Sequence, residues 1–299
     1  MRVVHLPTYD HLGDELLDTD IFVGFSIRPA QFTAARKLSW IHVTAAAVAH
    51  LMYPEIRSSG ILMTNASGVH SIPMAEHIVG TFIALARRFP DCVRYQMQSR
   101  WSQQELWDVP PALRPAELRG KIALFIGFGA LGHEAGRLAR AIGMRVWAVT
   151  RSGRADGEIA ERVFSSDALR EALQQADFVV VAAPETPETT KMIGERELSL
   201  VKRSAYLINV ARGALIDEPA LIRALQQRTV AGAALDVTSE EPLPPDSPLW
   251  RLDNAFITPH SSAISDRLWV RQTDLVMENL ERWFSGRELL NRVDLIRGY

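Results

Sequence analysis

The stretch KIALFIGFGALG, residues 121–132, decides the fold of this chain. A lysine and five apolar residues lead directly into a Gly-x-Gly-x-x-Gly pattern, and a helix-like segment, HEAGRLARAIG (133–143), follows at once. Glycines recur in turns of every kind, so the pattern is informative only in this context of strand, turn and helix. The stretch predicts a buried strand, a tight turn and a helix whose N-terminus faces an anion.

Each glycine of the pattern has a physical role. Gly127 permits the tight turn, Gly129 lets the backbone approach a pyrophosphate, and Gly132 lets the helix pack closely on the strand. Ala130 and Leu131 lie between them, where backbone N–H groups face the ligand. The turn therefore predicts a dinucleotide site; the alternative is a turn whose glycines serve packing alone.

Short apolar runs alternate with helix-like segments on both sides of this turn, which is typical of repeated βα units around a parallel sheet buried on both faces. The later runs are RVWAVT (145–150), DFVVVAA (177–183), SAYLINV (204–210), TVAGAALDV (229–237) and AFITPH (255–260). The earlier runs are RVVHL (2–6), DIFVGF (20–25), WIHVTA (40–45) and ILMTN (61–65). We predict an α/β protein with a Rossmann-type doubly wound parallel sheet and a second, smaller α/β domain.

Two long helical patterns, at about 73–88 and 265–284, predict the crossings between these domains. We expect the smaller, substrate-binding domain to comprise residues 1–90 and 267–299, and the dinucleotide-binding domain residues 91–266. Ligands of such sheets bind at the carboxyl ends of the strands. The polar stretch 96–115, which contains Trp101 and Trp107, is interpreted as a connecting arm.

Composition excludes several classes of protein. The 299 residues carry 33 basic and 35 acidic side chains, for a net charge of -2. The signs are interspersed, so the sequence favours neither a nucleic-acid nor a membrane partner. One cysteine, Cys92, cannot form an intrachain disulfide, the first residues lack the layout of a signal peptide, and no His/Cys cluster predicts a metal. We expect a cytoplasmic protein without a metal.

The end of the second predicted strand of the dinucleotide domain indicates which cofactor is preferred. An NAD-preferring site carries an acidic residue there, whereas this chain has Thr150, Arg151 and Ser152, followed by Arg154. An arginine and two hydroxyls bind a 2′-phosphate through charge-assisted hydrogen bonds. The loop favours NADP, with NAD as an alternative cofactor. The other interpretation is a solvated basic loop that contacts no cofactor.

Polar residues follow three later strands at the edge where ligands are expected. Arg212, Glu241 and His260 converging on a nicotinamide suit the reduction of a 2-oxo acid. Arg212 would hold the carboxylate or carbonyl, and His260 would deliver the proton. Glu241 beside His260 favours the charged imidazolium. Taken singly, each residue is more often part of a surface ion pair; the joint placement favours a site.

These motifs resemble the D-isomer-specific 2-hydroxyacid dehydrogenase family over nearly the whole chain. The resemblance runs through NASGVHSIPMAEH, FIGFGALG, APETPET, LINVARGALIDEPAL, ALDVTSEEPLP and ITPHSSA. It implies a flavodoxin-like smaller domain, with His260 as acid/base, Glu241 as its orienting partner and Arg212 as the substrate clamp. Further positions match cofactor contacts, namely Pro184, Thr189, Val210, Ala211, Asp236 and Ser262.

The resemblance also places a substrate-carboxylate loop at residues 45–48. Ala46 and Ala47 would bind substrate there together with Arg212 and His260. Ala47 stands where the family usually has glycine, and Thr238 replaces a common phenylalanine. Because backbone N–H groups make the carboxylate contact, these departures concern specificity more than chemistry.

The basic loop resembles that of NADP-using glyoxylate and hydroxypyruvate reductases of the family, and the arm around Trp101 and Trp107 resembles a segment that embraces a second subunit. The leading hypothesis is a homodimeric, NADPH-dependent reductase of small 2-oxo acids. One alternative is an NAD-linked D-2-hydroxyacid dehydrogenase acting on a phosphoglycerate-like substrate. Another is a non-catalytic, dinucleotide-sensing protein like the corepressors of this fold.

Overall fold

The computed structural model describes residues 2–110, 114–155 and 157–298. These residues form two compact units. The smaller unit comprises the chain up to His70 together with the chain from Ser265 onward, and the larger unit comprises Ser71–Ile264. Among the described residues, no helix combines the length and the apolar character that crossing a lipid bilayer requires.

A three-stranded parallel sheet forms the centre of the smaller unit, in the order β1-β2-β3. Its strands are β1 (Ile21–Gly24), β2 (Trp40–Val43) and β3 (Leu62–Asn65), and its helices are α1 (Leu12–Leu16), α2 (Pro29–Ala34) and α3 (Pro54–Ser59). The core of this unit includes Ile41, Leu51 and Ile56. Residues 2–6 form no strand and are mostly exposed, so the prediction of a βα unit there is wrong. The apolar residues of this run pair with no neighbouring strand among the described residues.

Seven parallel strands form the sheet of the larger unit, in the order β10-β9-β8-β7-β4-β5-β6. The strands are β4 (Ile122–Ile126), β5 (Arg145–Thr150), β6 (Arg162–Ser165), β7 (Phe178–Val181), β8 (Tyr206–Asn209), β9 (Gly232–Leu235) and β10 (Ala255–Ile257). The order confirms the doubly wound α/β prediction. The chain runs outward from β4 to β6 and then returns to β7 on the other side of β4. The sheet therefore reverses its order between β4 and β7, which is where such sheets bind ligands.

The helices of the larger unit are α4 (Ser71–Ala86), α5 (Phe89–Met97), α6 (Gln103–Trp107), α7 (Ala130–Ala141), α8 (Leu169–Leu173), α9 (Glu195–Leu200) and α10 (Glu218–Gln226). Successive residues of a strand point to opposite faces, and β4 shows this directly. Leu124 and Ile126 join one core cluster, whereas Ala123 and Phe125 join another with residues of α4 and α7. Both faces of the sheet are thus covered, as the continuous apolar runs predict.

The boundary between the units lies at residues 70 and 265, whereas the sequence placed it at 90 and 267. Helix α4 accounts for most of the difference. Ile78 and Phe82 of this helix are fully buried in the cluster that contains Ala135 and Ala139 of α7, so α4 packs with the larger unit. The last long helix, α11 (Leu268–Phe284), is part of the smaller unit. The assignment of one unit to substrate and the other to dinucleotide stays a prediction.

A histidine in β2 is buried and has a lowered pKa. His42 is fully buried, its Nδ1 lies 2.8 Å from the Thr64 hydroxyl, and its Nε2 has no hydrogen-bond partner among the described residues. Burial lowers the pKa of His42 from 6.5 to about 4. The imidazole is therefore neutral in the folded protein at pH values where the unfolded chain already binds a proton.

We expect this difference to destabilise the protein as pH falls from 6.5 towards 4, because the unfolded state binds more protons than the folded state in that window. The contribution lost across the window is on the order of 3 kcal/mol. The measurement is the free energy of unfolding by urea at several pH values, for wild type and His42→Gln. The variant should show a shallower loss between pH 6.5 and 4. Parallel curves for the two proteins would contradict the assignment of acid sensitivity to His42.

Candidate functional site

The glycine turn after β4 is shaped by close backbone contacts. Gly127 has φ +91°, and a Cβ on it would lie 2.6 Å from the backbone nitrogen of Ala183. A Cβ on Gly132 would lie 2.9 Å from the Phe128 ring. A Cβ on Gly129, in contrast, would meet no atom of the described residues within 4 Å. Two glycines are thus required by packing, and the middle one faces open space.

This open space lies at the N-terminus of α7. Gly129 is the residue that precedes the helix, and Ala130 and Leu131 form its first turn. The first N–H groups of a helix have no partner within the helix, and the helix dipole favours an anion beside them. An unobstructed backbone at a helix N-terminus fits the pyrophosphate of a dinucleotide. The predicted pyrophosphate contacts Gly127, Gly129, Ala130, Leu131 and Gly132 all lie at this turn, and their contact with a cofactor stays a prediction.

The loop that follows β5 is closed on itself. The Thr150 hydroxyl donates to the carbonyl of Arg154 at 2.9 Å and accepts from its N–H at 3.1 Å, and Gly153 between them has φ +69°. The closed turn leaves Arg151, Ser152 and Arg154 exposed. Two guanidinium groups and a hydroxyl are thus presented beside the ligand edge of the sheet, a donor set that suits a phosphate.

The loop after β7 lies on the other side of the glycine turn. The Thr189 hydroxyl donates to the carbonyl of Pro184 at 2.8 Å and accepts from the N–H of Thr186 at 2.8 Å, so this loop is also closed locally. Hydrogen bonds from the Thr186 hydroxyl and from the backbone N–H of Glu188 hold the pKa of the Glu188 carboxyl below its usual value, and the positive charge of Arg151 contributes in the same direction. The loops after β5 and β7 are therefore near enough to interact electrostatically.

The segment after β8 is held by a buried asparagine. Asn209 accepts from the N–H of Ala211 at 3.1 Å and donates to the carbonyl of Arg212 at 2.9 Å, and Val210 between them is buried. Nη1 of Arg212 donates to the carbonyl of Ala211 at 2.6 Å. A Cβ on Gly213 would lie 1.9 Å from the carbonyl oxygen of Thr238, so this segment is pressed against the loop after β9.

Asp236, the first residue after β9, organises the chain after β10. Its carboxylate accepts from the Thr258 hydroxyl at 2.6 Å, from the N–H of Ser261 at 2.9 Å and from the N–H of Ser262 at 3.1 Å. Burial raises the pKa of Asp236, but hydrogen bonds from Ser262, Thr258 and the backbone outweigh burial and leave the pKa below its usual value. A buried carboxylate is thus kept ionised by the loop that it holds.

His260 and Glu241 form a direct pair. Nδ1 of His260 lies 2.6 Å from Oε2 of Glu241, and the other carboxylate oxygen accepts from the N–H of Thr238 at 3.1 Å. Because a carboxylate accepts and does not donate, Nδ1 carries a proton and Nε2 is left for a ligand. The His260 side chain is about half exposed (48%). Its backbone has φ +50°, a strained region held by its N–H bond to the carbonyl of Asp236 at 2.8 Å.

The structure therefore brings Glu241 and His260 into contact, joins both to the Asp236 network, and presses the Arg212 segment onto the same loop through Gly213. The predicted substrate contacts Ala46 and Ala47 lie in the smaller unit, where the carbonyl of Ala46 accepts from the Asn65 side chain at 2.8 Å. Their contact with a substrate stays a prediction, as do the cofactor contacts of Asp236 and Ser262.

Sequence reasoning did not single out several residues that build the site. Thr258 bonds Asp236, and its hydroxyl also lies 3.5 Å from Nε2 of His77 in α4. Burial lowers the pKa of His77, against the opposing charge of Asp236. Glu218 accepts from the N–H of Ser239 at 2.8 Å. The hydroxyl at a strand end was a visible signal for Thr258, but its partner is 22 residues away and only the fold reveals it.

Comparison with known proteins agrees with this geometry. The family model described as D-isomer specific 2-hydroxyacid dehydrogenase, NAD binding domain, matches residues 79–262. A glyoxylate reductase from Korarchaeum cryptofilum is 33% identical over 277 residues, covering 92% of this chain and 82% of the relative. A D-3-phosphoglycerate dehydrogenase from Methanocaldococcus jannaschii is 31% identical over 293 residues, which cover 96% of this chain and about half (54%) of that longer relative.

A solved structure is also similar. It is the D-isomer specific 2-hydroxyacid dehydrogenase from Xanthobacter autotrophicus Py2 in complex with NADPH and MES, with a TM-score of 0.82 and 30% sequence identity. The match covers 95% of this chain and 86% of that one.

The contrast between two glycines of the turn gives a test. We expect Gly129→Ala to leave the melting temperature unchanged, because its added methyl group meets open space, and to weaken dinucleotide binding about tenfold or more by blocking the backbone. Gly127→Ala should instead destabilise the fold, since its Cβ overlaps backbone atoms at a positive φ. Thermal unfolding and fluorescence titration measure the two effects. Tight binding by Gly129→Ala would contradict the placement of the pyrophosphate.

Proposed function

The chain belongs to the D-isomer specific 2-hydroxyacid dehydrogenase family, and we propose that it reduces a small 2-oxo acid, of the glyoxylate or hydroxypyruvate class, to the D-2-hydroxy acid with NADPH. As a member of this family it is an oxidoreductase that binds a nicotinamide dinucleotide. The observation that carries the proposal is the 2.6 Å contact between Nδ1 of His260 and Glu241. This contact leaves Nε2 of a half-exposed imidazole as a proton donor at the carboxyl edge of the sheet.

The residues of the chain have distinct roles in this proposal. When bound, the dinucleotide supplies the hydride. His260 gives a proton from Nε2 to the carbonyl oxygen of the substrate as that oxygen gains negative charge. Glu241 accepts from Nδ1 of His260 and fixes the orientation of the ring. Arg212 holds the substrate carboxylate, a planar anion that suits the planar guanidinium group.

The preference for NADPH rests on the loop after β5. Arg151 and Arg154 are exposed in a turn closed by the Thr150 hydroxyl, and their positive charges would attract the 2′-phosphate that distinguishes NADPH from NADH. The NADPH complex of the similar Xanthobacter structure supports this preference. The glycine turn serves both dinucleotides alike, because both contain the pyrophosphate.

The direct test of the function is the absorbance loss of NADPH and of NADH at matched concentrations. The panel of acceptors contains glyoxylate, hydroxypyruvate, pyruvate and a bulky 2-oxo acid. We expect turnover of the small acids with NADPH preferred. Oxidation of 3-phosphoglycerate with NAD, without reduction of the panel, would overturn the proposal in favour of the activity named for the Methanocaldococcus relative.

The basic loop is tested separately by Arg151→Ala. Losing one charge-assisted contact to the 2′-phosphate should raise the KM for NADPH about tenfold and leave the KM for NADH nearly unchanged. Arg170→Ala is the control, because Arg170 is an exposed arginine of α8 that pairs with Glu197. Equal effects of Arg151→Ala on the two cofactors would show that the loop does not read the 2′-phosphate.

We also propose that the chain forms a homodimer through the arm. Trp101, Met97 and Trp107 are 93%, 83% and 67% exposed, in and beside the helices α5 and α6. Large exposed apolar groups that lie close together in the chain are typical of protein interfaces. Residues 111–113 of the predicted arm lie outside the described residues.

The dimer proposal predicts that wild type elutes with twice the mass of one chain in light scattering, and that Trp101→Glu shifts it towards the monomer by placing a charge in the interface. Trp250→Glu is the control, since Trp250 is also exposed but lies outside the arm. A monomeric wild type would refute the proposal.

A further inference from the structure

Glu218 links the two strand-end segments that carry the proposed catalytic residues. It is the first residue of α10, and its Oε2 accepts a hydrogen bond from the N–H of Ser239 at 2.8 Å. Ser239 lies in the loop after β9 that leads to Glu241, whereas Glu218 follows Arg212 by six residues. One side chain thus ties the loop of Glu241 to the segment of Arg212.

The tied loop controls where Glu241 points. The N–H of Thr238 donates to Oε1 of Glu241 at 3.1 Å, while Oε2 of the same carboxylate meets Nδ1 of His260. The Thr238 hydroxyl donates to the carbonyl of Glu240 at 2.7 Å and tightens the loop further. The amide that orients the Glu241 carboxylate is therefore next in the chain to the amide that Glu218 holds.

The same two segments also touch directly. A Cβ on Gly213 would lie 1.9 Å from the Thr238 carbonyl oxygen and 2.4 Å from the nitrogen of Ser239. The contact at Gly213 sets how closely the segments approach. It does not fix how the loop is turned, since van der Waals contact is not directional, whereas the hydrogen bond from Ser239 to Glu218 is directional.

The helix itself does not require Glu218 for its cap. Asp217 precedes α10 and accepts from the N–H of Ala220 at 3.1 Å, which satisfies the capping role. The carboxylate of Glu218 is turned to the loop after β9 instead. An acidic residue in the first turn also interacts favourably with the helix dipole, so a control for that effect is needed.

We infer that Glu218 is a positioning residue. It holds the loop 238–241 in place relative to the segment of Arg212, so that Glu241 keeps His260 in the orientation that the reaction needs. The inference rests on the proposed function for its effect on turnover. Its effect on the hydrogen bond between His260 and Glu241 is independent of the substrate. Glu218 touches neither substrate nor cofactor in this account; it acts through the N–H of Ser239.

The test compares Glu218→Ala, Glu218→Gln and the control Glu195→Ala. An amide oxygen still accepts from the N–H of Ser239, so Glu218→Gln should retain the tie. Glu195 is likewise an acidic residue in the first turn of a helix, α9, but its carboxylate pairs with the side chain of Arg223 at 3.3 Å. The control thus removes a first-turn charge without touching the loop.

Two readouts are measured at one fixed pH, with melting temperatures recorded for all variants. The first is the ¹⁵N chemical shift of Nδ1 of His260, which reports its hydrogen bond to Glu241. We expect this shift to move in Glu218→Ala and to stay at the wild-type value in Glu218→Gln and Glu195→Ala. The second is steady-state reduction, in which kcat of Glu218→Ala should fall about tenfold while the KM for the dinucleotide stays unchanged.

The outcomes separate the inference from the proposed function. A wild type that reduces no 2-oxo acid would overturn the proposed function, and the ¹⁵N shifts would still decide the role of Glu218. An unchanged ¹⁵N shift in a folded Glu218→Ala would overturn the inference even if kcat fell. Equal losses of kcat in Glu218→Ala and Glu195→Ala would show a general effect of removing a first-turn charge and would overturn the inference. A ¹⁵N shift in Glu218→Gln that differs from the wild-type value would also overturn the inference.

Discussion

The rest of the candidate site depends on the hydrogen bonds that the Asp236 carboxylate accepts. It is buried, and it accepts from one hydroxyl and two backbone N–H groups of the chain that follows β10. A buried carboxylate is stable only if such donors are supplied, and the loop supplies them. The carboxylate and the loop therefore fix each other, and the position of His260 follows from both.

His260 is held in a backbone conformation that few side chains adopt. Its φ of +50° costs on the order of 1 kcal/mol of conformational free energy, and no interaction within the residue itself offsets this cost. The bonds to Asp236 on both sides of the residue hold this conformation, and Glu241 then sets the ring. Strain concentrated at a functional residue is common, because the surrounding fold determines what local preference does not.

The sequence predicted the features that depend on local pattern. The turn at residues 127–132 and the strand before it, the parallel sheet of the larger unit, and the convergence of strand ends near Glu241 and His260 all follow from spacing and residue type. The fold class is confirmed. The resemblance to the dehydrogenase family is confirmed by the matching model and relatives.

What sequence reasoning missed depends on distant partners. The strand β6 (Arg162–Ser165) was not predicted, because only two of its four residues, Val163 and Phe164, are apolar and the strand gains its order by pairing with β5. Residues 2–6 were predicted to be a strand of the βα pattern, but they form none. A short apolar run becomes a strand only where the fold supplies a neighbouring strand. Thr258 and Glu218 act on residues that only the fold brings near.

The most direct test of the account is a single-turnover measurement of NADPH loss with glyoxylate, for wild type and His260→Gln, each with NADPH already bound. Glutamine is polar but cannot give the proton that the carbonyl oxygen needs. We predict that the rate falls by about 10²–10⁴-fold while the Kd for NADPH is unchanged. A variant that binds NADPH and reacts as fast as wild type would contradict the role of His260 as the proton donor.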